Sequence, residues 1–430
     1  MNQRVLIVGY FHPDANMGGV RIRRIARLLP QHGWDPVVLT HPSDASSVTE
    51  ESRGVRVEAA AAPDLTRIYR KLRNLGRREA MASPASRPEP KALATGLTSQ
   101  INRWLMIPDK QVTWYSAAVR RGLELLRAEK FSAIFASLEP RTSLLVAARL
   151  SKETGVPCVF EYRDLWTGNP YHHITQATAW HRWFHGRLER KALRQARRVS
   201  AVCRGIAKHL EHRYADVLQA PVELNYNFFD PDEYPAPVAG AMERRPFTIS
   251  YTGAMYATRS PHQFFEGMRT FIDRTGLTPG QFRFRWAGGA SGIKDLGEIL
   301  DRTAVRPHLD FLGQIPHREA LRLLMESDAA LLIQAPDDAI HIPGKLYEAL
   351  GARVPLLALT HPCETADILH RCRAGILCPH TSESVAEALA ELHRFSLKDT
   401  RWEFNEAEVR RFSADTAVAG LAALFNQACV

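Results

Sequence analysis

The sequence has no CxxC pair, no His/Cys cluster at metal-ligand spacing, no GxGxxG fingerprint and no apolar run long enough to cross a bilayer. Each absence excludes a class. The six cysteines, Cys158, Cys203, Cys363, Cys372, Cys378 and Cys429, are scattered, which argues against a zinc module and for reduced, mostly structural thiols. Without the glycine fingerprint a nicotinamide cofactor is not expected. The apolar stretch after Met1 to Arg4 ends at Tyr10, shorter than a signal segment with its cleavage site, so a cytoplasmic chain is expected. Membrane contact is then expected to be peripheral only, at the inner face of the cell membrane. One-sided charge is scarce as well: Lys and Arg number 56 against 46 Asp and Glu, a formal charge of +10. That excess favours anionic partners, and no compact recognition motif points to nucleic acid.

What is present is a repeating α/β rhythm over 430 residues, too many for one typical core, so two domains are expected. Arg4 to Gly9 reads as a buried strand, and the apolar periodicity from Val20 to Leu29 reads as a helix. The loop between them lies where open parallel sheets bind ligands. Its Gly18-Gly19 pair suits either close approach to a substrate or a plain turn. From Asp64 to Lys110 the rhythm gives way to a basic stretch, a Pro/Ala/Ser-rich piece and a short apolar segment around Trp104. Cations beside aromatics suit an anionic membrane surface, and a solvated insertion is the competing reading. Further on, the strand Val156 to Tyr162 ends in Arg163-Asp164. Polar groups at a strand's C-terminal end are placed for chemistry, although a structural ion pair would look the same.

Prolines 231, 235 and 237 with Gly240 mark a linker, 231–245, between a first domain, 1–230, and a second, 246–405; residues 406–430 read as a closing helix. Strands are expected at Phe247 to Tyr251, Arg283 to Ala287, Leu309 to Gly313, Ala330 to Gln334, Pro355 to Leu359 and Gly375 to Cys378. After the first of these, Gly253 opens a loop that reaches Arg259 and then Ser260-Pro261, a helix cap and first-turn proline. A cation at that helix entrance calls for an anion. Gly288-Gly289 ends the second strand, and Asp337, Asp338 and His341 are too few to argue for a metal.

The organising stretch is Ile342 to Gly351: a proline at a first helical position, helix formers, and a glycine at the stop. Lys345 and Glu348 share a helix face that begins where backbone N–H groups point outward. Such an end suits a phosphate reinforced by the Lys345 ammonium, with the Glu348 carboxylate accepting from vicinal hydroxyls such as those of a ribose. An exposed intrahelical pair is the alternative.

Taken together, the segments Tyr10 to Arg21, Phe160 to Tyr171, Tyr251 to Pro261, Leu312-Gly313 and Ile342 to Pro355 resemble the GT-B glycosyltransferases, and among them family 4. The resemblance runs over nearly the whole chain apart from 64–110. It implies an α/β fold of two doubly wound Rossmann-like domains facing a cleft. It also implies transfer of a sugar, generally with retention, from a nucleotide diphosphosugar such as a UDP- or GDP-sugar to a glycan or lipid-linked acceptor, with no cofactor and no metal. By the same resemblance Glu348 is the ribose ligand, Arg259 and Lys345 bind the pyrophosphate, and Gly18 and Gly19 lie at the cleft. Asp164 positions the acceptor or the transferred sugar, and Arg163, Gly253, Gly288, Gly344 and Leu346 complete the substrate-contacting set. The family often has a second glutamate eight positions before the first, where this chain has Ile340, and many members end the strand before Arg163 with a histidine. A nucleotide-sugar epimerase of the same fold and a non-catalytic nucleotide-sugar-binding protein are the alternative functions.

Overall fold

The computed structural model describes residues 3–10, 17–41, 54–62, 107–169, 178–236, 245–256, 259–290, 293, 295–398 and 401–430. They form two compact units. One holds Met1–Val202, Ile206–Asn225 and Val418–Val430, the other Cys203–Gly205 and Tyr226–Ala417.

The first unit carries strands β1 (Gln3–Val8), β2 (Trp34–Thr40), β3 (Arg56–Ala59), β4 (Ala133–Leu138), β5 (Cys158–Tyr162), β6 (Ala196–Ala201) and β7 (Glu223–Leu224) in the order β3-β2-β1-β4-β5-β6-β7. Its helices are α1 (Met17–Leu28), α2 (Tyr115–Ala128), α3 (Arg141–Thr154), α4 (Ala179–Leu193) and α5 (Arg204–Tyr214). All strand pairs are parallel. Every residue of β4 and β5 is buried, as expected of a parallel sheet covered on both faces, and the polar Ser137 and Glu161 among them are hydrogen-bonded to each other.

The second unit repeats the plan with β8 (Phe247–Thr252), β9 (Phe282–Ala287), β10 (Leu309–Gly313), β11 (Ala329–Ile333), β12 (Leu356–Leu359) and β13 (Gly375–Cys378), ordered β10-β9-β8-β11-β12-β13. Its helices are α6 (His262–Thr275), α7 (Leu296–Thr303), α8 (His317–Met325), α9 (Gly344–Ala352), α10 (Glu364–Cys372), α11 (Ser382–Ser396) and α12 (Glu406–Arg410), and α13 (Ala414–Ala428) begins in this unit and passes into the first. Side-chain alternation divides this sheet cleanly. Leu331, Ile333, Leu357 and Leu359 pack on one face with Phe264, Phe284 and their neighbours. Ala330, Leu332, Leu356 and Ala358 pack on the other with Leu346, Leu350 and Ile368. Strand period two thus builds two cores from one sheet.

Several expected boundaries shift. Gly18 and Gly19 lie within the first turn of α1, not in the loop before it. The closing segment is two helices, α12 and α13, not one, and from Val418 onward it belongs to the first unit. There Phe425 packs edge-on against Trp34 and Phe135, with ring centroids 5.1 and 5.5 Å away. The first unit also ends at Asn225, before the expected residue 230, and lends Cys203–Gly205 to the second. The helix after Arg259 begins at His262, with the Ser260 hydroxyl accepting from the His262 N–H at 3.3 Å. Residues 63–106, which hold most of the basic insertion, lie outside the described residues.

Candidate nucleotide-sugar site

In the second unit the strand order reverses at β8, whose neighbours β9 and β11 are reached by connections running in opposite directions. Such a switch point opens a crevice at the strands' C-terminal ends. The loop after β8 and the helix after β11 both meet there.

Two glycines let the loops close tightly. Gly253 and Gly288 each have φ near +150°, a conformation that side chains rarely adopt. A β-carbon on Gly288 would fall 1.9 Å from the Gly253 carbonyl oxygen. The Gly253 N–H donates to the Ala287 carbonyl at 2.5 Å, the Gly288 N–H to the Gly313 carbonyl at 2.6 Å, and the Trp286 indole to the Gly253 carbonyl at 3.0 Å. The ends of β8, β9 and β10 are thereby laced together.

Helix α9 enters this crevice with Pro343 at its N-cap and no side-chain cap. Gly344 and Lys345 open the helix, while the Leu346 N–H already donates to the Pro343 carbonyl at 3.1 Å. The Leu346 side chain is wholly buried in the apolar core, so the structure corrects its expected substrate contact: its packing anchors the helix instead. Gly351 is not the helix stop. The helix runs to Ala352 and closes at Arg353, φ 56°. A β-carbon on Gly351 would meet the Tyr234 hydroxyl at 2.2 Å, so glycine is needed there for packing.

Lys345 is half-buried, its Nζ 5.3 Å from the centre of the Tyr251 ring, a distance at which the ring's electron-rich face attracts a cation. Burial depresses the Lys345 pKa; the field of Glu348 opposes this and that of Arg259 adds to it. Lys345 therefore senses both other charges. Yet no side-chain hydrogen bond or ion pair joins any of them to another group among the described residues. The intrahelical Lys345–Glu348 pair is not formed. Glu348 contributes only its backbone carbonyl, which accepts from Tyr234 at 2.9 Å. Burial lifts the Tyr251 hydroxyl to about 12, and it donates to the Ala254 carbonyl at 3.1 Å. The result is two cations and one carboxylate at a helix entrance, an arrangement that suits an anion flanked by hydroxyl groups.

Sequence reasoning missed Gln334, just past β11 and 1% exposed. Its amide donates to the carbonyls of Asp338 and His341 at 2.6 and 3.0 Å, and its oxygen accepts from the Thr360 hydroxyl at 3.1 Å. Asp338 in turn accepts from the N–H and the ring of His341 at 3.1 and 2.9 Å. This loop is the approach to α9 and carries Ile340. The visible signal was a polar residue ending an apolar strand before a candidate ligand loop. Among the described residues no three His, Cys, Asp or Glu side chains gather to hold a metal ion.

In the first unit, the buried Glu161 accepts two hydrogen bonds from Arg21, at 2.6 and 3.0 Å, and one from Ser137 at 2.8 Å. Arg163 donates to the carbonyls of Leu138 and Glu139 at 2.6 and 3.0 Å and to Ser137 at 3.0 Å. Its side chain is thus occupied in tying the end of β5 to the loop after β4. Asp164, partly exposed, supports the Arg163 charge electrostatically. Neither Arg21 nor Glu161 was singled out from the sequence as a buried pair, since they lie 140 positions apart.

Residues 18–224 match the family described as "Glycosyl transferase 4-like domain". That match covers the first unit, and the chain as a whole has the GT-B fold, built of two Rossmann-like domains. Over 99% of both chains it superposes on sucrose-phosphate synthase from Thermosynechococcus elongatus, with 14% identity and a TM-score of 0.63. HepE of Anabaena, solved with UDP-glucose, matches at 16% identity and a TM-score of 0.56, covering 100% of this chain and 98% of that one. The UDP-GlcNAc 2-epimerase of Methanocaldococcus jannaschii matches over 99% of both chains at 11% identity and a TM-score of 0.53. At such identities the likeness defines the fold. No curated protein matches the chain.

Proposed function

We propose that this protein transfers a hexose from a nucleotide diphosphosugar, a UDP- or GDP-sugar, to a glycan or lipid-linked acceptor in polysaccharide biosynthesis, with retention of anomeric configuration. The observation that carries this reading is the unpaired, half-buried Lys345 beside Arg259 and Glu348 at the entrance of α9. A buried cation without an acid partner is costly unless a ligand supplies the counter-charge. HepE, a structural relative, was solved with UDP-glucose.

In this mechanism negative charge grows on the β-phosphate as the sugar–phosphate bond breaks. Lys345, Arg259 and the N–H groups of Gly344 and Lys345 stabilise that charge more in the transition state than in the ground state. Glu348 holds the ribose hydroxyls. Asp164 positions the acceptor or the transferred sugar, and attack on the leaving-group face needs no protein nucleophile. Gly253 and Gly288 serve by allowing the loops beneath the phosphates to close, and Gly18 and Gly19 open α1 on the acceptor side.

The test is nucleotide release from UDP-, GDP- and ADP-sugars, with and without membrane extract, for the native chain, Glu348→Ala and Lys345→Ala. Extract-dependent release abolished by both substitutions is expected and identifies the base. Release that needs no acceptor and yields an altered sugar would establish an epimerase instead. Donor binding without any turnover would establish a binding protein.

A further inference from the structure

Helix α4 of the first unit is built inside out. Its buried positions are His181, His185 and Glu189, each 1% exposed, together with Ala192 and Leu193. The interior receives these polar groups with defined partners: the Trp166 indole donates to His185 at 2.9 Å, and the hydroxyls of Thr167 and Tyr214 donate to Glu189 at 2.6 and 2.7 Å. Meanwhile Trp180 and Trp183 are 44% and 59% exposed. At 100° per residue, Trp180, Trp183, Phe184, Arg187 and Lys191 share the outward face. Trp180 and Phe184 stack with centroids 5.2 Å apart and planes 3° from parallel, and the Arg187 guanidinium lies 5.6 Å from the Trp183 ring centre.

Folding does not explain this polarity, because the hydrophobic effect would turn the indoles inward. Charge narrows the partner. Arg182, Arg187, Lys191 and Arg194 are all exposed, while Glu189, the one acid of the helix, is buried. Amphipathic aromatic rings at one end of a helix, followed by the exposed Arg187 and Lys191, match the chemistry of a bilayer's interfacial zone with acidic headgroups.

We propose that the outward face of α4 is a docking surface for an anionic lipid bilayer, with Trp180, Trp183 and Phe184 entering the headgroup region and Arg187 and Lys191 pairing with acidic lipid phosphates. The proposal is independent of the donor assignment, so Lys345→Ala is expected to bind vesicles like the native chain.

The test is co-sedimentation of the full chain with phosphatidylcholine vesicles, with and without phosphatidylglycerol, alongside quenching of tryptophan emission by brominated lipid. Salt-sensitive binding to the mixed vesicles alone is expected. Trp180→Ser with Trp183→Ser should weaken it about a hundred-fold, and Arg187→Ser with Lys191→Ser about thirty-fold, with unchanged melting temperatures. A native chain that ignores anionic vesicles would overturn the proposal. So would a tryptophan variant that binds and is quenched like the native chain. Trp183-dependent self-association or protein binding without vesicle binding would assign the face to a protein partner and overturn it equally.

Discussion

A β-carbon placed on Gly253 would lie 2.4 Å from the Nζ of Lys345. The absent side chain at the end of β8 is therefore what lets the ammonium of α9 reach the switch point of the sheet. Gly253→Ala should displace that ammonium and strain a backbone held at φ near +150°. Such strain costs about 1–3 kcal/mol. Calorimetric titration with a nucleotide diphosphosugar should show at least a ten-fold loss of affinity, about 1.4 kcal/mol, beside a measurable drop in melting temperature.

Donor binding should depend on alkaline pH through Lys345. Its pKa is depressed below the ordinary 10.5 because burial penalises the charged form. The unfolded chain therefore holds this proton to higher pH than the folded one, so the contribution of Lys345 to stability rises with pH across the window from the lowered pKa to 10.5. A bound diphosphate favours the charged form and reverses the shift. Proton uptake on binding, read by calorimetry in buffers of differing ionisation enthalpy, should accompany donor binding in that window and vanish in Lys345→Ala.

The Arg21–Glu161 pair should be critical to the first unit. Burial alone would push the Glu161 carboxyl up, but the charge and hydrogen bonds of Arg21, with Ser137, outweigh it and hold the pKa below 4.5. Its contribution is thus complete above 4.5 and is lost as pH falls through the lowered value. Glu161→Ala removes the carboxylate that the buried Arg21 guanidinium and Ser137 bind and should cost about 3–5 kcal/mol in chemical denaturation. Arg21→Met with Glu161→Met should recover much of that loss.

Gln334→Leu tests whether the loop before α9 must be fixed. It removes two donated and two accepted hydrogen bonds from a buried group, leaving carbonyls unsatisfied at about 1–3 kcal/mol. The expected result is a lower melting temperature together with a raised KM for the donor. An unchanged KM would show that the loop is held by Asp338 and His341 alone.

Most strands of the second unit were legible within a residue or two, because continuous apolar runs between glycine and proline punctuation describe a buried parallel sheet whatever the tertiary context. Lys345, Glu348 and Arg259 were singled out for a similar local reason: Arg259 precedes a predicted helix start, Lys345 lies at another, and Glu348 follows one turn deeper on the same face. The inside-out character of α4 was hidden, since a mixed run of Trp, His, Arg and Glu does not show which face is covered. Leu346 was misread because helix position alone does not distinguish a residue facing the crevice from its neighbour facing the core.

The sequence by itself determined the alternation of elements, the two-unit plan and the charged types at the entrance of α9, all set by contacts between residues close in the chain. Tertiary structure decided what each charge meets. Arg21 found Glu161 across 140 positions, Arg163 turned to the carbonyls of a neighbouring loop, and Lys345 found an aromatic ring and a missing β-carbon instead of an acid. Those outcomes depend on which strands become neighbours and on how closely their loops pack, and in a parallel sheet neighbours are joined through long crossovers that local periodicity does not record.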